Sequence, residues 1–287
     1  MTATDLWPLV DRARRSLGSY YDPAMEQAAS ESGLPTPEWY SLFPALTFDP
    51  ETVTVERMRV RNPYTAPKIL EDRLARLSGL GALTPSDGGY RLTKRGSQTI
   101  RRIIEAAHSS MAALTPMASA DLQHLTELLQ RLVESCLAAP EPPGKWCLSN
   151  SRAIDPGDDA NVLVRLDQYV TDLAAWQRYA VSGPAWEAFT LVWRGEASTP
   201  EEVHSKLVRR GYSLSDYAEE LSGVAEREWI VEESGTVRLT AQGQNSRQEA
   251  EETTDRYYYA PWAVLSEAET GELRTLLNRL SAGLSRP

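Results

Sequence analysis

The stretch YRLTKRG at residues 90–96 returns as VRLTAQG at residues 237–243. Both copies keep the order Arg-Leu-Thr and close on a glycine three residues after the threonine, and their arginines lie 238 − 91 = 147 positions apart. The second copy has Ala and Gln in place of Lys94 and Arg95. We therefore assign a structural role to the shared residues and look for a separate role for the charged pair.

The same offset relates other segments of the chain. TPEWYSLF at residues 36–43 matches GPAWEAFT at 183–190, and LTELLQRL at 125–132 matches LRTLLNRL at 273–280 with a shift of one. Matches in a conserved order predict a duplication, and the alternative is two unrelated helical domains with leucine-rich patterning. The predicted domains are a first repeat with flanking helices at 1–138, a proline-rich linker at 139–160 and a second repeat with flanking helices at 161–287.

Composition excludes several classes of protein. The 287 residues are 41% hydrophobic and 24% charged, which is typical of a globular chain. No apolar run is long enough for a membrane span, and the N-terminal residues lack the pattern of a signal peptide, so we expect a cytoplasmic protein without a membrane partner. Two cysteines, Cys136 and Cys147, without a Cys-x-x-Cys pair predict neither a disulfide framework nor a zinc site.

Local patterns predict helices followed by a hairpin in the first half. Residues 5–17 and 22–33 are predicted as two helices, with Asp22 as the cap of the second and Pro23 at its first position. Asp49 is the predicted cap of a short helix that ends before Asn62 and Pro63. A longer helix follows from near Thr65, and ALTPSDGGYRLT at 82–93 has the composition of a β-hairpin.

The order of helix, turn, second helix, hairpin and LTKRG resembles the winged helix-turn-helix of the MarR family of bacterial regulators over residues 36–102. The Leu-Thr-x-x-Gly after the hairpin is the sharpest element of the resemblance. It implies a mainly α protein with small β-hairpin wings, of the α+β class. In that family flanking helices form a dimer interface, so two tandem repeats could pair within one chain as a pseudo-dimer, and we expect a monomer.

Charge divides the two predicted repeats. Residues 50–102 contain eleven Lys or Arg and five Asp or Glu, a net charge of +6, whereas the aligned residues 197–249 contain six and ten, a net charge of −4. Because Lys and Arg neutralise phosphates, double-stranded DNA is predicted to contact the first repeat. The candidates are Arg57, Arg59, Arg61, Asn62, Tyr64, Thr65, Lys68, Arg91, Lys94 and Arg95. Any one of them could equally be a solvated surface residue.

Acidic side chains are predicted to keep the second repeat off DNA. Its recognition segment is expected to expose Asp216, Glu219, Glu220 and Glu226, and its wing begins with Glu232 and Glu233. This half would then stabilise the first repeat or bind another protein. The first wing also departs from the MarR pattern, because its tip carries Asp87 where the family commonly has an arginine.

Aromatic residues suggest a ligand site in the second half. DRYYYAPW at residues 255–262 resembles a pocket wall, because MarR-like regulators commonly bind small aromatic effectors beside the dimerisation helices. Interface packing is the simpler interpretation of the same rings. The ligand-binding candidates are Trp176, Tyr179, Arg256, Tyr258 and Trp262.

The sequence contains no recognisable catalytic, metal or cofactor motif. The three histidines are scattered, and there is neither a phosphate-binding glycine loop nor a nucleophile elbow. The leading hypothesis is a MarR-like transcriptional regulator without a cofactor, and the alternative is a winged-helix interaction module that has lost DNA binding. An unrecognised enzymatic activity stays open, because fold resemblance does not exclude one.

Overall fold

The computed structural model describes residues 6–34, 36–138 and 179–284, so the predicted linker at 139–160 and Trp176 lie outside the described residues. The described chain is mainly helical, with two small antiparallel hairpins, and this confirms the predicted α+β class with β-hairpin wings. None of the described helices has the length and apolar content that a bilayer span requires.

Helices and one hairpin make up the first half. Its elements are α1 (Trp7–Glu31), a 3-10 turn (Glu38–Ser41), α2 (Leu42–Phe48), α3 (Val55–Arg61), α4 (Pro67–Gly79), β1 (Leu83–Ser86), β2 (Gly89–Leu92), α5 (Lys94–Ala112) and α6 (Ser119–Ala138).

The described part of the second half has a similar order. Its elements are α7 (Gly183–Trp193), α8 (Pro200–Leu207), a 3-10 turn (Val208–Arg210), α9 (Leu214–Glu226), β3 (Ile230–Glu233), β4 (Thr236–Leu239), α10 (Ala241–Tyr259), a 3-10 turn (Ala260–Val264) and α11 (Glu267–Leu284).

The elements from α4 to α5 begin and end at a constant interval from those between α9 and α10. The starts of α4 and α9 differ by 214 − 67 = 147, and their ends by 226 − 79 = 147. Both strands of each hairpin and both ends of α5 and α10 keep the same interval. The turn residues agree too, because Asp87 and Gly88 have positive φ in one hairpin and Ser234 and Gly235 have it in the other.

The repeated Thr-x-x-Gly anchors each wing to the helix that follows it. The hydroxyl of Thr93 donates to the carbonyl of Gly81 at 2.7 Å and accepts from the amide of Gly96 at 3.0 Å. The hydroxyl of Thr240 donates to the carbonyl of Glu228 at 2.5 Å and accepts from the amide of Gly243 at 3.0 Å. Each threonine thus caps a helix and also holds the loop in front of the wing.

Each closing glycine lies against a backbone carbonyl. A Cβ atom at Gly96 would lie 2.0 Å from the carbonyl oxygen of Ala82, and one at Gly243 would lie 2.0 Å from that of Trp229. Both distances are far below van der Waals contact, so no larger residue fits without moving the backbone. The shared part of the repeated phrase is therefore structural.

The first helix differs from its prediction. The sequence predicts a break with Asp22 as a cap, but α1 runs without interruption through Pro23. Its buried residues, among them Val10, Leu17 and Met25, follow one stripe on both sides of the proline, and α1 packs against α5. Burial of this stripe offsets the roughly 3 kcal/mol that an interior proline costs a helix.

A second correction concerns the cap of α3. Asp49 is wrong as the predicted cap, because α3 begins at Val55 and the hydroxyl of Thr54 accepts from the amide of Arg57 at 3.2 Å. Thr54 has the extended backbone of a cap residue, whereas Asp49 is the C-cap of α2.

The chain forms two compact units whose boundaries differ from those of the predicted repeats. Unit 1 consists of Met1–Thr52, Arg76–Leu173 and Tyr257–Pro287, and unit 2 of Val53–Ala75 and Ala174–Arg256. Residues 53–75 of the first half therefore pack with the second half. The predicted domains are based on similarity within the sequence, and their boundaries stay a prediction. The two compact units are based on packing in the structure.

Within unit 1, the last helices of the two halves pack on each other. The leucines at 125–132 in α6 and at 273–280 in α11 are buried, and the Nε2 atom of His124 lies 3.0 Å from a carboxylate oxygen of Glu272. Arg131 pairs with Glu269, and this bond together with the amide of Ser266 lowers the pKa of the Glu269 carboxyl to about 2. LTELLQRL and LRTLLNRL are thus partners in one helix pair.

Unit 2 contains a complete winged helix-turn-helix with its own aromatic core. Helices α8 and α9 pack on each other, α7 lies against α9 and β4, and α9 contacts β3. Phe189 and Trp229, whose ring centroids are 5.1 Å apart, lie in the core together with the fully buried Tyr217. This core fixes α9 and the second wing in the arrangement that helix-turn-helix proteins use.

Candidate nucleic-acid interface

The predicted DNA-contacting residues divide between the two compact units. Arg91, Lys94 and Arg95, which we call the wing-1 basic group, belong to unit 1, and the candidates between Arg57 and Lys68 belong to unit 2. The two sets therefore have separate structural surroundings and are described in turn.

The wing-1 basic group lies on exposed positions of β2 and the first turn of α5. Arg91 carries a weak ion pair with Asp87 at 3.6 Å, and Arg95 donates to the carbonyl of Ser32 at the limiting distance of 3.5 Å. Surface pairs of this length contribute little, so these side chains are available to phosphates. The two hydrogen bonds of Thr93, one to the loop before the wing and one to the first turn of α5, hold their backbone in place. Arg101 and Arg102, further along α5, are exposed too.

Residues at the start of the first recognition helix have a different environment. Thr65 is only 3% exposed, and its hydroxyl donates to the side-chain carbonyl of Asn62 at 3.0 Å. Tyr64 packs against the core of unit 2, with the guanidinium of Arg210 5.4 Å from its ring centroid. That Thr65 contacts DNA stays a prediction, and in this conformation its side chain is buried.

The remaining candidates of unit 2 are on α3 and α4. Arg57 and Arg59 are half-buried, and the side chain of Arg61 lies outside the described part of the structure. Lys68 is exposed and forms an ion pair with Asp72 one helical turn away, which raises the pKa of its ammonium group. Lys68 keeps the position of a phosphate contact, but part of its charge is neutralised.

The start of α4 packs against the helix-turn-helix of the second half. The amide of Ala66 donates to the carbonyl of Arg210 at 2.8 Å. A Cβ atom at Gly183 would lie 2.2 Å from the carbonyl oxygen of Pro63, and one at Gly211 would lie 2.4 Å from Cγ1 of Ile69. We call this set of contacts, between residues 63–69 and residues 183 and 210–211, the helix-start contact.

Gly183 and Gly211 were not predicted as functional positions. At both of them the two aligned halves of the sequence differ. At an interval of 147, Gly183 aligns with Thr36 and Gly211 aligns with Tyr64, so the second copy has glycine where the first has a larger side chain. Glycine has no Cβ, so it permits a close approach at these two positions that the larger residue of the first copy would block. The structure gives the partner of each approach, which the sequence alone does not contain.

The exposed surface of the second recognition helix is acidic. Asp216 forms a capping box with Ser213, in which the hydroxyl of Ser213 accepts from the Asp216 amide and the backbone amide of Ser213 donates to the carboxylate and lowers its pKa. Glu219 and Glu226 are exposed on the same helix. The prediction that Glu220 is exposed is wrong, because it is half-buried and accepts from the hydroxyl of Ser182 at 2.7 Å.

The second wing adds to this negative surface. Glu232 and Glu233 are exposed on β3, and the exposed Arg238 on β4 forms an ion pair with Glu233 at 3.3 Å. Gln242, which replaces Arg95 of the first copy, donates to the carbonyl of Arg227 at 3.0 Å. At this position the second half thus has a hydrogen bond within unit 2 where the first half has an exposed charge.

The aromatic candidates lie in two separate packed clusters. In unit 2, the Tyr179 ring stacks on Trp186 at 5.6 Å, and its hydroxyl lies 3.0 Å from a carboxylate oxygen of Glu249. In unit 1, Tyr258 contacts the ring of Trp7 edge-on at 5.3 Å and Trp262 at 5.8 Å. Arg256 is exposed at the end of unit 2. These contacts support packing as the role of the rings.

Within the described ranges, no three His, Cys, Asp or Glu side chains form a group that could hold a metal ion.

Comparison with known proteins gives one match. A family model described as a helix-turn-helix family matches residues 172–286, which include the winged unit of the second half and the helices after it. No curated protein and no solved structure matches the chain. The match supports a helix-turn-helix protein in the general sense, and this motif is most often a DNA-binding one.

Proposed function

We propose that the protein is a transcriptional regulator of the MarR-like type, in which one chain carries two winged repeats. The constant interval of 147 between the bounds of α4 to α5 and those of α9 to α10 supports the duplication. The anchors at Thr93 and Thr240 support it as well, because each makes the same two hydrogen bonds. The proposed site of action is the cytoplasm of a bacterium.

The wing-1 basic group carries the proposal for DNA. Arg91, Lys94 and Arg95 are exposed, and the loop and helix that bear them are fixed. Arg57, Arg59 and Lys68 would add phosphate contacts only if the start of α4 reached the duplex. The proposal includes no effector site, since Tyr179, Tyr258 and Trp262 pack against the protein's own rings.

The α6–α11 helix pair supports an intramolecular pseudo-dimer. In a MarR-like dimer the corresponding helices come from two subunits, whereas here Arg131 and Glu269 of one chain form the link. Because these leucine surfaces are already buried, we expect the protein to be monomeric. Sedimentation equilibrium should give a mass near 31.9 kDa, and a stable dimer would contradict the pairing.

A second candidate function is favoured by the surface of the second winged unit. Exposed acidic residues there are accompanied by exposed apolar ones, with Val208 63% and Val231 42% accessible. Phosphates repel such a surface, whereas a protein partner can use both kinds of side chain. In this alternative the chain is a winged-helix interaction module without DNA affinity.

Binding to a random duplex separates the two candidates. Binding is measured by fluorescence anisotropy of a labelled duplex of about 20 base pairs at about 50 mM salt. Phosphate contacts are strong at this low salt concentration. The regulator should bind and should lose affinity steeply as salt increases to about 200 mM. No detectable binding at the lower salt would support the interaction module instead.

A further inference from the structure

The start of a recognition helix is the part that reaches base edges in helix-turn-helix complexes. In this protein the start of α4 is occupied by the helix-start contact. Ala66, directly before α4, is hydrogen-bonded to Arg210, and Arg210 is four residues before the first residue of α9. The beginnings of the two recognition helices are therefore neighbours within unit 2.

Such an arrangement does not fit a duplex that is read by both helices. Paired helix-turn-helix units place their recognition helices in successive major grooves, about 34 Å apart. Residues joined by a backbone hydrogen bond of 2.8 Å, directly before α4 and close to α9, cannot lie at that separation. With Thr65 buried and Tyr64 against the core of unit 2, the conformation is closed toward DNA.

The contact has the composition of a specific interface. Two glycines, Gly183 and Gly211, allow the backbone at Pro63 and the side chain of Ile69 to approach closely. The guanidinium of Arg210 is over the ring of Tyr64 and also forms a 2.6 Å ion pair with Glu187. These residues connect α4 to α7 and to the turn before α9 by steric fit, a hydrogen bond and a cation–π interaction.

We propose that the helix-start contact is a reversible mask on the first recognition helix. This inference depends on the proposed function, since it describes how DNA binding by the same protein is regulated. In the closed state phosphates meet the exposed cations, which are the wing-1 basic group and Lys68. Opening the contact releases Tyr64 and Thr65 for the major groove, so the apparent affinity for DNA is reduced by the small fraction of open molecules.

The variant Gly183→Ala tests the mask with little disturbance elsewhere. Gly183 is at the first position of α7 with ordinary helical backbone, where alanine is acceptable, but its Cβ would meet the backbone of Pro63. Gly223→Ala is the matched control, because a Cβ there meets nothing within 4 Å in the same unit. Ile69→Ala weakens the contact by removing a side chain instead of adding a clash.

Two measurements are made on the full chain. The first is the hydrogen-exchange rate of the Ala66 amide, which is hydrogen-bonded in the closed state. The second is the affinity for random duplex at about 50 mM salt, measured by fluorescence anisotropy. Both Gly183→Ala and Ile69→Ala should exchange faster at residues 63–69 than the wild type and the Gly223→Ala control. Both should bind the duplex more tightly, by about tenfold for Gly183→Ala.

The outcomes separate the mask from the proposed function. Faster exchange with an affinity equal to that of the wild type would overturn the mask and leave DNA binding intact. An Ala66 amide that exchanges as fast in the wild type as in both variants would show that the contact does not form, and would overturn the mask as well. No binding by any of the four proteins would overturn both.

Discussion

Replacing Gly243 with alanine is expected to lower the free energy of unfolding by about 3 kcal/mol or more, and Gly96→Ala should have a similar effect. In each case the new Cβ would lie 2.0 Å from a carbonyl oxygen of the loop before the wing. That oxygen belongs to backbone held by the neighbouring threonine, so relief requires the wing to shift. Overpacking of this kind costs about 1 to 3 kcal/mol, and more when backbone must move.

Urea denaturation of the full chain measures this effect, with one control in each unit. Gly79→Ala and Gly223→Ala place a Cβ where nothing lies within 4 Å, and both positions are helical. They should leave stability unchanged or raise it by up to about 1 kcal/mol, since alanine is the better helix former. If Gly243→Ala were as stable as Gly223→Ala, the structural explanation of the repeated glycine would be wrong.

The largest expected effect on binding comes from the charged pair of the first copy. The double variant Lys94→Ala/Arg95→Gln gives the first copy the residues of the second. Its affinity for random duplex at about 50 mM salt should fall by about tenfold or more, because two phosphate contacts are lost. The slope of log K against log salt should become shallower by about 2.

The matched control removes the same charge from the second helix-turn-helix. Lys206→Ala/Arg209→Ala neutralises two exposed cations next to the acidic surface of α9. That surface is not proposed to contact DNA. The affinity and salt slope of this double variant should therefore stay close to those of the wild type. Equal losses in the two double variants would indicate a response to net charge alone and would remove Lys94 and Arg95 from the interface.

Local chemistry made much of the fold predictable. The hairpin between residues 82 and 93 follows from its turn residues, and the helix after it from the threonine cap, because both are determined within a few residues. The corrected prediction at Pro23 shows that tertiary packing can override a local sequence preference. A proline signals a helix start in isolation, but the buried stripe on both sides of it is stabilised by α5, which lies far away in the sequence.

The site was less predictable than the fold for the same reason. The sign of the charge at Lys94 and Arg95 is visible in the sequence, and exposure there follows from their place after a wing. The burial of Thr65 and the bond from Glu220 to Ser182 depend on packing between distant segments. The helix-start contact joins residues more than a hundred positions apart, and Gly183 and Gly211 do not identify their partners in the sequence.

The central claim is that DNA contacts the first wing and not the second. Hydrogen exchange of the full chain, with and without random duplex at about 50 mM salt, tests it most directly. Binding through the first wing should slow exchange at residues 87–98, where the wing-1 basic group is located, and leave residues 232–245 unchanged. Slower exchange at the second wing alone, or no change at either wing, would contradict it.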